Sequence, residues 1–151
     1  GAHPASPGIR AILSSAEPLP LDLEELLVHC WHCEVFDHYG LTETGYGGGV
    51  ECPGKQGYHL RESDLFFEVV DPVSGEPVPD ETPGEVVFTT LTRQAMPLIR
   101  YRTGDMAAML PGPCVCGSPL RRLSRIRGRF RTIGDRLEVL APRKGWMEDS
   151  G

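Results

Sequence analysis

Glycine and proline together occupy 32 of the 151 positions, 18 and 14 of them respectively. That is about a fifth of the chain, where about a tenth is usual. Glycine admits positive φ and proline fixes φ while removing a donor. A chain so punctuated must turn often, which favours short strands and loops over long helices. Hydrophobic residues at 40% and charged residues at 24% exclude wholesale disorder and fibrous sequence. A length of 151 residues fits one domain or a piece of a larger one, and is too short for a two-domain enzyme.

The formal net charge is -6, from 21 acidic and 15 basic residues. With no long basic block, nucleic acid is not an expected partner. No apolar run approaches the ~18 residues of a membrane span, and no basic-then-apolar leader opens the chain. The expectation is a cytoplasmic protein without a membrane partner. Its five cysteines are an odd number, and Cys114-Val115-Cys116 points to metal or thiol chemistry rather than to a secreted disulfide framework.

Residues 1–8 read as a flexible leading segment. Ile9 to Leu13 is a short apolar run consistent with a buried strand. Leu21 to Trp31 places Leu23, Leu26, Leu27 and Cys30 at helical spacing, with Asp22, Glu24 and Glu25 in the first turn. Glu34 to Tyr39 then reads as a second strand, completing a β-α-β unit. Beyond the Gly-rich stretch Gly45 to Gly49, strands are predicted at Leu65 to Val70 and Glu85 to Leu91, the first closed by the turn Asp71-Pro72-Val73-Ser74-Gly75. Further extended runs are predicted around Pro97 to Arg102, Asp105 to Leu110 and Leu120 to Arg127. The fold class is therefore mixed α/β. Residues 9–50 form the β-α-β part, residues 51–130 a β-rich, barrel-like part, and residues 131–151 a hinge remnant and loose tail.

The segment Asp37-His38-Tyr39-Gly40-Leu41-Thr42-Glu43-Thr44-Gly45 leaves a predicted strand and runs into glycines. At such a strand end backbone amides can approach a phosphate closely. A threonine hydroxyl can donate to a phosphate oxygen, and the adjacent carboxylate can hold Mg²⁺. The plainer alternative is a strand followed by a polar loop. Tyr39-Gly40-Leu41-Thr42-Glu43 resembles the Tyr-Gly-x-Thr-Glu core of the adenylate-forming ligases, the superfamily of acyl-CoA synthetases and adenylation domains. Three further segments agree in order: Ser15-Ala16-Glu17-Pro18 with the adenine loop, Tyr101-Arg102-Thr103-Gly104-Asp105 with the Tyr-x-Thr-Gly-Asp motif, and Gly128-Arg129 with the hinge pair. Thr89 to Thr92 and Met96 to Asp105 most resemble the phenylacetate-CoA ligase group. The likeness spans about residues 9 to 130 and implies part of the adenylate-forming ligase fold.

Carried over by position, the resemblance implies that Ala16, Glu17 and Pro18 border adenine, that Tyr39 stacks on or flanks it, and that Gly40 belongs to the same nucleotide-binding set. It implies that Thr42 contacts the α-phosphate, Glu43 holds Mg²⁺ and Arg129 approaches the ribose or phosphate side. Asp105 would accept both ribose hydroxyls, as suits a group with two acceptor oxygens and no donor. The superfamily's upstream phosphate loop with its lysine has no match in Gly1 to Ser15, and only about twenty residues follow Gly128. Phe130, Arg131 and Thr132 stand where the group usually carries acidic hinge residues.

Cys52, His59, Cys114 and Cys116 supply three thiolates and one imidazole, the complement of a closed tetrahedral zinc site. The alternative is a set of separate free cysteines; the resemblance, in whose group this pattern is frequent, supports the zinc reading. Cys30 and Cys33 form a Cys-x-x-Cys, but at the end of a predicted helix rather than at its start, so packing of Cys30 on the apolar face is expected instead of redox chemistry.

The resulting expectation is a fragment of an ATP-dependent carboxylic acid–CoA ligase, acting on an aryl or other organic acid. It would use ATP/AMP, Mg²⁺, CoA as co-substrate and a structural zinc, and would make no acyl-adenylate by itself. The alternative is a non-catalytic, zinc-stabilised nucleotide-binding or interaction module.

Overall fold

The computed structural model describes residues 8–133 and 136–140. Pro18 and Pro20 break the extended run that precedes them, and the helix α1 (Leu21–Trp31) starts at the next residue. Asp22 and Glu24 sit in its first turn, where negative charge complements the helix dipole. His32 closes it in a left-handed conformation, its N–H donating to the Val28 carbonyl. On either side lie β1 (Ala11–Ser14) and β2 (Glu34–Tyr39), paired in parallel with α1 as the crossover. The β-α-β unit is thus present, with β1 shifted slightly along the chain from the expected Ile9 to Leu13.

Residue alternation aims β2 inward through Val35, Asp37 and Tyr39, all buried. After a short 3₁₀ turn at Thr42–Thr44 come β3 (Gly49–Glu51), β4 (Tyr58–Leu60), β5 (Leu65–Val70), β6 (Gly84–Thr90) and β7 (Tyr101–Ala107). The rest are β8 (Met109–Leu110), β9 (Arg122–Leu123), β10 (Gly128–Ile133) and β11 (Arg136–Leu140). One sheet has the order β1-β2-β3-β4-β9-β8 and the other β11-β10-β7-β6-β5. The first draws strands from both residues 9–50 and residues 51–130. The β-rich part forms open sheets rather than a closed barrel among the described residues.

The core lies between the sheets. Tyr39, Tyr58, Leu60, Phe67, Phe88 and Leu123 belong to one cluster of buried residues. Phe67 and Phe88 are 1% and 0% exposed, with ring centroids 5.9 Å apart, so truncating either to alanine costs about 3–5 kcal/mol.

Several expectations are corrected. Cys30 is exposed and α1 has no buried residue, whereas Cys33 is buried. The helix is held instead by Glu24, whose carboxylate pairs with Lys55 at 2.9 Å and Arg125 at 2.6 Å. The runs predicted around Pro97 to Arg102 and Asp105 to Leu110 are redrawn as β7 followed by the two-residue β8, and Leu120 to Arg127 shrinks to β9. Residues read as a hinge remnant and tail include the second half of β10 and all of β11, strands that pair antiparallel from Arg129 opposite Leu140 to Ile133 opposite Arg136. Ladder pairing with β7 supplies an order that no local pattern displays. The leading segment up to residue 7 and the tail from residue 141 lie outside the described residues.

Candidate nucleotide site and metal-ligand cluster

Four chain segments converge on a cavity of about 590 Å³. From the loop after β1 come Ser15, Ala16, Glu17 and Pro18; from the end of β2 come Asp37, His38, Tyr39 and Gly40; from β7 and β10 come Asp105 and Arg129. Of the residues assigned to a nucleotide, Ala16, Glu17, Pro18, Tyr39, Gly40, Asp105 and Arg129 therefore line one space. Thr42 and Glu43 are not in its lining and sit on the adjoining 3₁₀ turn.

Asp105 is aimed by an irregularity in its strand. Glu85 pairs with Met106 and Val87 with Arg102, so Thr103, Gly104 and Asp105 together stand opposite Val86 alone. Such a bulge bends the strand and redirects side chains. Gly104 takes φ 75 there, a conformation that costs glycine nothing. Thr103 Oγ1 donates to the Val86 carbonyl at 2.8 Å and accepts from the Asp105 N–H at 3.0 Å, which fixes the bulge.

Asp105 is buried, the whole residue 7% exposed. Its Oδ2 accepts from Tyr39 Oη at 3.0 Å, and its Oδ1 pairs with Arg129 Nε at 2.8 Å. Burial pushes its pKa above the ordinary aspartate value, against the opposing pull of Arg129 and the Tyr39 hydrogen bond. One partner on each oxygen leaves lone pairs for two further donors. Tyr39 is raised well above the usual tyrosine value by burial and by the neighbouring Asp105 charge, so it stays a donor. Its ring packs on Tyr58 with centroids 5.8 Å apart and planes 30° apart.

Glu43 Oε1 accepts from Tyr101 Oη at 3.1 Å. The turn beneath it is tied by Thr44, whose Oγ1 donates to the Leu41 carbonyl and accepts from the Leu41 N–H. Arg61 Nη2 donates to the Thr44 carbonyl at 2.7 Å.

Sequence reasoning missed the second tyrosine–carboxylate pair. Tyr58 Oη donates to Asp37 Oδ2 at 2.6 Å, and burial raises the pKa of Asp37. The available signal was the alternation of β2, which buries Asp37 on the same face as Val35 and Tyr39. A larger cavity of about 1080 Å³ under α1 shares Pro18, Asp37 and Tyr58 with the first, but has neither Tyr39, Asp105 nor Arg129 in its wall.

Elsewhere the donor atoms of Cys52, His59, Cys114 and Cys116 all lie within 4.8 Å of one another. Cys52 follows β3, His59 is the middle residue of β4, and the other two occupy the β8–β9 loop. Cys52 Sγ is 3.6 Å from Cys114 Sγ, and Cys116 Sγ is 3.4 Å from His59 Nε2. A zinc tetrahedron with Zn–S of about 2.3 Å and Zn–N of about 2.0 Å has edges of roughly 3.8 and 3.5 Å, so the set fits. A Cβ on Gly54 would lie 2.8 Å from Val115 Cγ2 and within 3.5 Å of two of the sulfurs. The backbone N–H of Cys116, aided by contacts with Cys116, Cys52 and His59, draws the Cys114 thiol down to about 6, whereas burial pushes Cys52 up. Cys30 and Cys33 are not part of this cluster.

A profile of the AMP-binding enzyme family matches residues 2–93. Phenylacetate-coenzyme A ligase of Pseudomonas putida is 37% identical over 131 residues, covering 85% of this chain and 29% of that protein. The Thermus thermophilus protein of the same name is 47% identical over 93 residues, covering 60% of this chain and 21% of its own. Among solved structures, a 2-hydroxyisobutyryl-CoA ligase in an open conformation, in complex with 2-HIB-AMP and CoA, shares the fold with TM-score 0.76. It is 23% identical, with 89% of this chain and 31% of that one covered. The chain thus spans less than a third of the length of these relatives. With its ordered motifs gathered on one cavity and a family profile covering more than half its length, the chain belongs to the AMP-binding enzyme family and is similar, within it, to phenylacetate-coenzyme A ligases.

Proposed function

We propose that this chain is the adenosine-holding part of an AMP-forming acid–CoA ligase that activates a small organic acid, aryl acids included. The observation that carries the reading is the convergence of the β1 loop, the β2 terminus and the Asp105–Arg129 pair on one cavity. Ala16, Glu17 and Pro18 border adenine, with Tyr39 and Gly40 at its flank. The buried Asp105 carboxylate takes the two ribose hydroxyls, held in place by Tyr39 and Arg129. Arg129 adds positive charge on the ribose or phosphate side. Thr42 donates to the α-phosphate.

Glu43 is the residue to hold Mg²⁺, which supplies positive charge against the phosphate oxygens. In the ligase reaction the acid's carboxylate attacks the α-phosphorus of ATP and displaces pyrophosphate, and the CoA thiol then attacks the acyl carbon, displacing AMP and giving up its proton. The Cys52, His59, Cys114 and Cys116 set is assigned to a structural zinc, which joins the turn after β3 to the β8–β9 loop and adds to folding stability. Thiolates kept reduced for a metal suit the cytoplasm. Among the described residues, no helix is long and apolar enough to cross a membrane.

The test is calorimetric titration with AMP. The chain should bind AMP, and Asp105→Ala should weaken binding at least about tenfold, as expected for loss of a charged hydrogen-bonding group. A chain that binds no AMP, or an Asp105→Ala variant of equal affinity, refutes the proposal.

A further inference from the structure

The loop that borders the cavity after β1 is tied to β2 by a side-chain contact to which neither motif role assigns a function. Ser15 Oγ lies 2.9 Å from His38 Nδ1, across 23 residues of sequence, and both residues line the 590 Å³ cavity. The loop needs a tie. Ala16 takes φ 83, a left-handed conformation that costs a Cβ-bearing residue roughly 1–2 kcal/mol and persists only when surrounding contacts enforce it.

His38 is suited to enforce it because its ring is seated against two glycines. A Cβ on Gly47 would lie 1.9 Å from His38 Nε2, and one on Gly40 would lie 3.2 Å from Cε1. Two glycines thus leave a slot that the imidazole fills. With Nε2 against Gly47, the ring presents Nδ1 to Ser15. The adjacent residue on the same strand is Tyr39, which holds Asp105. One strand end therefore fixes both the loop on one side of the cavity and the carboxylate on the other.

We propose that Ser15 and His38 form a latch that positions the Ala16-Glu17-Pro18 loop, so that the preference for adenine depends on this contact. They act as positioning residues, not catalytic ones. What the loop binds rests on the adenylate reading above, but the latch is a property of the free chain and can be tested without a ligand.

In the 151-residue chain, NMR order parameters at Ala16 and Glu17 should fall from about 0.85 to below about 0.6 in Ser15→Ala and in His38→Ala. In His38→Asn, whose side-chain amide can replace Nδ1, they should stay near the original value. AMP and GMP titrations should show the AMP preference reduced about fivefold in either alanine variant, the worth of one hydrogen bond. The double variant should be no worse than either single one, because both remove the same contact. Unchanged order parameters at Ala16 and Glu17, or additive losses in the double variant, overturn the latch. Asp105→Ala serves as the separate control. If it binds AMP as well as the original chain, the adenylate reading fails, and the order parameters alone decide the latch.

Discussion

Arg129 and Asp105 stand directly opposite one another across the β10–β7 ladder, and Arg129 Nε donates to Asp105 Oδ1 at 2.8 Å. The carboxylate side chain is 9% exposed and the guanidinium 59%. The charge that steadies Asp105 is therefore itself in solvent, and the pair acts as a positioning device more than a source of stability. Arg129 Nη2 also donates to the Thr103 carbonyl, closing the bulge that aims Asp105. A hinge residue by motif is thus tied to the ribose-binding candidate by register.

The pH dependence of AMP binding should reveal Asp105. Its folded-state pKa lies above the ordinary value because burial outweighs Arg129 and Tyr39. The folded protein then holds its proton in a window just above the unfolded value, where stability falls as pH rises. Binding of ribose hydroxyls needs the ionised form. AMP affinity measured from pH 7 downward should begin to fall at a pH above the usual aspartate range near 3.9, and Asp105→Asn should be weak and flat across the range. A wild-type profile as flat as that of the variant would contradict the assignment.

Tyr39→Phe removes the hydroxyl that donates to Asp105 while keeping the ring on Tyr58. With Tyr39 at 6% exposure, the loss of a hydrogen bond to a buried carboxylate should cost about 1.5–3 kcal/mol in urea unfolding. It should also raise the Asp105 titration further, because a contact that favours the ionised form is gone.

Metal content should be about one zinc per chain by elemental analysis. Cys114→Ser with Cys116→Ser should abolish it, and chelation should lower the melting temperature by at least about 5 °C. Full zinc retention in the double variant would rule out this ligand set. The Cys30→Ser variant should keep its metal, since Cys30 is exposed and outside the cluster.

Glu51 has a fully buried side chain that pairs with Arg125 at 2.6 Å and Lys55 at 3.1 Å and accepts from the Asp37 N–H. Burial alone would raise its pKa, but the Arg125 hydrogen bond and charge, with the Asp37 N–H, carry it below the usual glutamate value. The stability this contributes is present above the unfolded pKa and is lost as pH falls through the folded one. Glu51→Gln should destabilise the chain by roughly 3 kcal/mol at neutral pH, and its unfolding free energy should change less on acidification than that of the original chain.

The local elements could be read from the chain because their causes are local. Prolines 18 and 20, the acidic first turn and a helical apolar spacing delimit Leu21–Trp31 with no reference to the rest of the molecule. Alternation and flanking turn residues do the same for Glu34–Tyr39 and Leu65–Val70. The three-residue strands Gly49–Glu51 and Tyr58–Leu60, and the hairpin of β10 and β11, carry too little pattern of their own. They exist because partner strands complete their ladders.

The candidate site divides along the same line. Motif order by itself determined the family resemblance, the residue types expected around a nucleotide and the chemistry of a three-cysteine, one-histidine set. Only the tertiary structure decided that Tyr39 meets Asp105 across 66 residues, that Cys52 meets Cys114 across 62, and that Ser15 meets His38. It also decided against the packing of Cys30. Periodicity and propensity act over one or two turns of chain, whereas these contacts are set by sheet register, by a bulge opposite Val86 and by the burial of two sheets against each other, which no single segment encodes.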